Sequence, residues 1–83
     1  MTNDQMAYRV ARFLSSMQIK LQEAFKKSRK TEEQLAEIMG VDVGEARRRL
    51  SGSSELTAKE LAELAFALNK DAVFVLQDPS GDK

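Results

Sequence analysis

The chain has 83 residues, 42% of them apolar, and its formal net charge is zero. That size and composition describe one small domain with enough apolar residues for a single modest core. It contains no cysteine and no histidine, which excludes a disulfide framework and the commonest catalytic bases and metal ligands, so no enzyme, metal or cofactor is expected.

Residues 3–28 read as one long helix without Gly or Pro, started by a Thr2–Gln5 capping box. Met6, Val10, Phe13, Leu14, Met17, Leu21 and Phe25 recur at spacings of three and four and make one continuous stripe. A break at Ser15-Ser16 is the alternative, but the stripe keeps its phase through the serines. Phe13 to Phe25 is expected to pack on the other helices. The Met6–Phe13 end, with Tyr8, is expected to overhang, and an overhanging apolar stripe usually meets a partner chain.

After Lys26-Lys27-Ser28-Arg29-Lys30 comes the stretch Thr31–Gly52, two short helices around a tight turn. Thr31 and Gln34 form a capping box, and Leu35, Ala36, Ile38 and Met39 give the first helix its apolar stripe. Gly40 suits the left-handed conformation that ends a helix. Asp42 and Glu45 form a second box ahead of Ala46, Arg47, Arg48, Arg49 and Leu50, and Ser51-Gly52 stops the second helix. Two caps bracketing one glycine is the sequence form of a helix-turn-helix.

Ser53-Ser54-Glu55 reads as a polar loop. Thr57 and Glu60 cap the next helix, with Leu56 and Leu61 as a hydrophobic staple. Leu61, Leu64, Ala65 and Leu68 form its buried face, and Asn69 suits the left-handed position at its end. Ala72-Val73-Phe74-Val75-Leu76 fits a short strand or a last helical turn, and the strand is favoured. Such a strand finds no partner within the chain and would pair with its copy across a two-fold axis, so Val73, Phe74 and Val75 join Met6, Tyr8, Val10 and Phe13 as the expected dimer interface. The domain is expected to span 1–78, with 79–83 as a disordered tail.

Zero net charge hides an uneven distribution. Residues 1–30 carry seven Lys/Arg against two acids, 31–54 three against five, and 55–83 three against six. Positive charge therefore gathers at 26–30 and 47–49, on either side of the first motif helix. The two clusters can meet one DNA groove, or they can be solvated faces favourable to helix C-termini. No apolar run approaches the ~20 residues of a membrane span, and MTNDQMAYRV lacks the apolar core of a signal peptide, so a cytoplasmic protein is expected.

The order long helix, helix pair, capped helix, short terminal element resembles the lambda-repressor-like (XRE/Cro-C1 type) helix-turn-helix DNA-binding domain. The residues that carry the resemblance are Thr31-Glu-Glu-Gln-Leu-Ala-Glu-Ile-Met-Gly-Val, Ala46 and Gly52, then Leu56, Leu61, Ala65, Leu68 and Asn69. It covers about residues 21–70. It implies an all-α fold of four to five helices and a homodimeric, sequence-specific transcriptional regulator of double-stranded DNA, expected to be a repressor. By position, Val43, Gly44, Arg47 and Arg48 would face base edges, which agrees with an opposite arc of Ala46 and Leu50 inside. Phosphate contacts would come from Lys26, Lys27, Arg29, Lys30, Thr31 and Glu32. The family commonly has Gln at the position of Glu32, where a carboxylate needs a neutralising cation. It usually has an apolar residue at Arg49, which is therefore expected to snorkel outward. Glu45 adds a further negative charge beside the groove. Two other functions fit the same scaffold: an antitoxin that binds a toxin and its own operator, and a pure protein-interaction module.

Overall fold

The computed structural model describes residues 2–51 and 56–79, with the backbone alone at Thr2 and Asn3. Four helices make up the regular structure: α1 (Thr2–Ser28), α2 (Glu32–Met39), α3 (Val43–Ser51) and α4 (Ala58–Ala67). Among the described residues there is no strand, so the fold is all-α.

Helix α1 runs unbroken through Ser15 and Ser16. Its 27 residues span about 40 Å at 1.5 Å per residue, most of the molecule's 45 Å long axis. It ends where Arg29 takes a left-handed φ of 60°. There the Ser28 hydroxyl donates to the Phe25 carbonyl and accepts from the Lys30 N–H. The expected cap at Thr2 lies outside the described side chains.

Local signals set the other helix ends. Thr31 Oγ1 accepts from the Gln34 N–H at 3.1 Å, and Gln34 Oε1 accepts from the Thr31 N–H at 2.9 Å, which completes the first capping box. Gly40 closes α2 at φ 74°, with the Val41 N–H reaching back to the Ala36 carbonyl. Only glycine takes that φ without steric cost. Thr57 and Glu60 form the same reciprocal box on α4. Asn69, at φ 65°, ends α4 while the Lys70 N–H bonds back to the Ala65 carbonyl.

The core lies between the C-terminal half of α1 and the three short helices. Leu21, Leu35, Leu50, Leu64, Ala67 and Leu68 are buried at its centre. Met17, Ala24, Phe25, Met39, Leu56 and Leu61 pack around them. Each fully buried leucine stabilises the fold by ~1.5–3 kcal/mol through the area it removes from water. Packing on α1 begins at Met17. Phe13, where the stretch expected to pack meets the end expected to overhang, is exposed, because the short helices do not reach that far along a 40 Å rod.

Two further expectations are not met within the single chain. Residues 70–79 form neither a strand nor a helical turn; among the described residues there is no second strand to complete a ladder, the expected strand having been one that pairs with a second copy, and Asn69 has already turned the chain out of its helix. The second capping box is half formed: Asp42 Oδ1 accepts the Glu45 N–H at 2.7 Å, but the Glu45 carboxylate goes to arginines instead of back to the cap. The expected stop at Gly52, the loop to Glu55 and the tail beyond Pro79 lie outside the described residues.

Candidate nucleic-acid interface

Helix α3 buries Ala46, Arg49 and Leu50 and turns the opposite arc outward. That arc holds Val43, half-buried, with Gly44, Arg47 and Ser51, all exposed. Their spacing of one, four and eight residues places them on one side of a 3.6-residue helix. Ser51 was not singled out from sequence, although its position seven residues after Gly44 repeats the same helical phase.

The exposed arc is held from two directions. Arg47 reaches back to the first residue of α2, where Nε and Nη2 both lie 3.0 Å from Glu32 Oε1. The carboxylate at Glu32 is thus neutralised by the arginine of the exposed arc. From behind, the side-chain amides of Gln18 and Gln22 on α1 donate to the carbonyls of Ser51 and Leu50. These are orphan carbonyls at the end of a helix, which otherwise need water or a cap. Two glutamines one turn apart thereby fix the C-terminus of α3 on α1. The sequence signal, glutamines four apart beside Met17 and Leu21, is visible only once α3's position is known.

Arg48 and Arg49 have other destinations. Arg48 forms a two-pronged pair with Glu45, at 2.9 and 2.7 Å, and approaches Glu60 at 3.3 Å. Arg49 does not snorkel outward. It is buried, with Nε 2.8 Å from Glu45 and Nη1 3.1 Å from Glu63, beside the Met39 sulfur. A guanidinium has enough donors to satisfy several acceptors at once, so carboxylates on both sides make burial tolerable. Lys59 completes the chain by pairing with Glu63 at 2.7 Å. Three carboxylates and three cations alternate between α3 and α4, so this network adds little net charge to the exposed arc. Glu60 serves twice, as cap of α4 and as partner of Arg48.

The protonation behaviour follows this geometry. Hydrogen bonds from Arg48, then Arg49, hold the Glu45 carboxyl at about 2, against an ordinary 4.5. Lys59, then Arg49, lowers Glu63. The Arg48 guanidinium is pushed up, chiefly by Glu45. For Arg49, burial works against the charge, but the bonds to Glu45 and Glu63 outweigh it and the net shift is upward.

The segment 26–30 divides. Lys26, Lys27 and Arg29 are exposed, and Arg29 stands three residues before Glu32, the partner of Arg47. Lys30 is half-buried and serves the fold: its ammonium donates to the Ala67 carbonyl at 2.6 Å and to Asn69 Oδ1 at 3.3 Å, closing the C-terminus of α4. Thr31 spends its hydroxyl on its cap.

Met6, Val10 and Phe13 lie on one face of α1, all exposed. Tyr8 lies on the opposite face by helical spacing, where Arg12 stacks over its ring at 5.6 Å. Tyr8 therefore does not share a surface with Met6, Val10 and Phe13. Val73, Phe74 and Val75 are exposed beyond α4.

Among the described residues no cluster of acids could hold a metal ion, and no helix is long and apolar enough to cross a membrane. No curated protein and no solved structure matches the chain. The BetR domain matches residues 2–83. With the match spanning the whole length of the fold just described, the chain belongs to the BetR domain family.

Proposed function

We propose that the protein is a sequence-specific DNA-binding transcriptional regulator that acts as a homodimer. On this reading α2 and α3 form a lambda-repressor-like helix-turn-helix, with α3 in the major groove. The observation that carries it is the exposed arc Val43–Gly44–Arg47–Ser51 on a short helix held at both ends by the rest of the fold.

Gly44 supports the same reading. A Cβ there would meet only Asp42 Oδ1 at 3.4 Å, an ordinary contact. The fold has room for alanine, which is the better helix former. A bare backbone on the exposed arc suits close approach of a groove wall or base edge instead.

Arg47 is the base reader, with bidentate contact to guanine as its natural target. It exchanges Glu32 for the base, so part of its binding energy is spent on breaking that pair. Arg48 and Arg49 rigidify the reading helix through α4. Phosphate contacts come from Lys26, Lys27 and Arg29 and from the first turn of α2. With four to eight phosphates neutralised per dimer, affinity falls with salt at a log–log slope of about −4 to −7. Two-fold symmetry calls for half-sites ~34–36 Å apart.

The test is binding to the DNA upstream of the protein's own gene, by fluorescence anisotropy across a salt series. Saturable binding that Arg47→Ala weakens supports the reading. No binding at any salt concentration overturns it.

A further inference from the structure

We propose that two copies of the chain exchange their C-terminal segments, residues 72–76 of each packing on α1 and the α1–α4 groove of the other. This deepens the homodimeric reading and rests on it only for the two-fold pairing.

The occupant is an apolar run that its own chain leaves uncovered. Val73, Phe74, Val75 and Leu76 are between 66% and 85% exposed, in a segment with no helix or strand. The receiving surface is the stripe Met6, Val10 and Phe13, between 49% and 63% exposed. It continues into a groove of about 440 Å³ between α1 and α4, floored by Phe13, Met17, Leu21, Leu61 and Leu68. Ala72 and Val73 stand at the edge of the same groove, so stripe, groove and segment form one continuous apolar surface.

The area matches what a stable dimer needs. The seven exposed side chains leave roughly 900 Å² uncovered on each copy, against the ~800 Å² per partner of a standard interface and the 300–600 Å² patch tolerated on an ordinary monomer. Charge is complementary as well. The α1 half is basic, with Arg9 exposed beside the stripe and Lys20 on the groove wall, while acids Asp71 and Asp78 bracket the apolar segment. Each copy supplies one half of both contacts, as an isologous interface requires.

A small ligand fits the groove less well. Among the described residues no buried side-chain polar atom is left without a partner, so nothing fixed is available to orient one.

The chain has no native cysteine, so single substitutions report contacts directly. Copies carrying Val10→Cys and copies carrying Val75→Cys, with tags of different mass, are mixed and oxidised without DNA. A mixed disulfide forms only between chains, and it is expected to dominate. Light scattering is expected to show a dimer for the wild type and a monomer for Phe74→Asp at the same concentration. The thermal midpoint of that variant's monomer should remain close to that of dissociated wild type, because Phe74 is 85% exposed in its own chain. A monomeric wild type would assign the surface to another protein and overturn the proposal. So would a homodisulfide of Val75→Cys as the main product, which means segment-to-segment pairing, or a dimer that survives both Val10→Asp and Phe74→Asp. Failure to bind DNA leaves every one of these outcomes intact, so the two readings fall separately.

Discussion

Arg47 on α3 and Glu32 at the start of α2 share a 3.0 Å contact across the turn that joins the two helices. The pair ties a side chain of the exposed arc to the helix before it, and it sets the arginine's availability. Glu32→Gln is expected to tighten DNA binding several-fold, because it removes both a competing partner and a charge that repels phosphate. Arg47→Ala is expected to weaken binding to the specific site by ~1–3 kcal/mol while leaving non-specific binding nearly unchanged. Fluorescence anisotropy with specific and scrambled duplexes reads both. Neither change should move stability much, since exposed ion pairs contribute only ~0–1 kcal/mol.

Gly44 separates folding from function. Alanine there is expected to raise stability by ~0.5–1 kcal/mol, a midpoint gain of about 2–8 °C in a domain this small. The same change is expected to weaken specific binding by filling the approach to the groove. Thermal melts and anisotropy on one variant suffice. An alanine variant that binds as tightly as wild type would remove Gly44 from the interface.

Acid should loosen the bond between α3 and α4. Glu45 is held at about 2 in the folded chain against an ordinary 4.5, and Glu63 is lowered too. A depressed folded-state value means the carboxylate's contribution is fully present above about 4.5 and is lost as pH falls toward about 2. The midpoint is expected to stay flat from neutral pH to about 5 and then to fall through that window. Glu45→Gln should start lower at neutral pH and show a shallower acid limb. With no histidine in the chain, no side chain of ordinary pKa changes charge between pH 5 and 8.

Gln18 and Gln22 are expected to matter through α3 alone. Removing either amide leaves a helix-end carbonyl to water, at a cost of ~0.5–1.5 kcal/mol. Gln22→Glu should cost more than Gln22→Ala, because a carboxylate meets both the carbonyl and the negative end of the helix dipole. Hydrogen exchange should quicken in α3 before it quickens in α4. Equal acceleration in all four helices would mean that the two bonds do not hold α3 specifically.

The chain's own sequence determined the features whose causes lie within a few residues. The caps at Thr31 and Thr57, the left-handed turns at Gly40 and Asn69, and the unbroken stripe of α1 are all local, so spacing alone exposes them. The arc of α3 was legible in part: helical phase turns Gly44 and Arg47 away from Ala46 and Leu50, but it did not single out Ser51, and it included Arg48, whose side chain goes to Glu45 and Glu60.

Only the tertiary structure decided where the charges go. Arg48 and Arg49 stand beside Arg47 in sequence, yet their partners Glu60 and Glu63 lie on another helix. Lys30 finds the end of α4 across 37 residues, and Gln18 finds the end of α3 across 33. A long polar side chain can satisfy itself wherever packing brings an acceptor, and no periodicity records which acceptor arrives. For that reason a cluster of three arginines on one short helix became one exposed side chain and two struts.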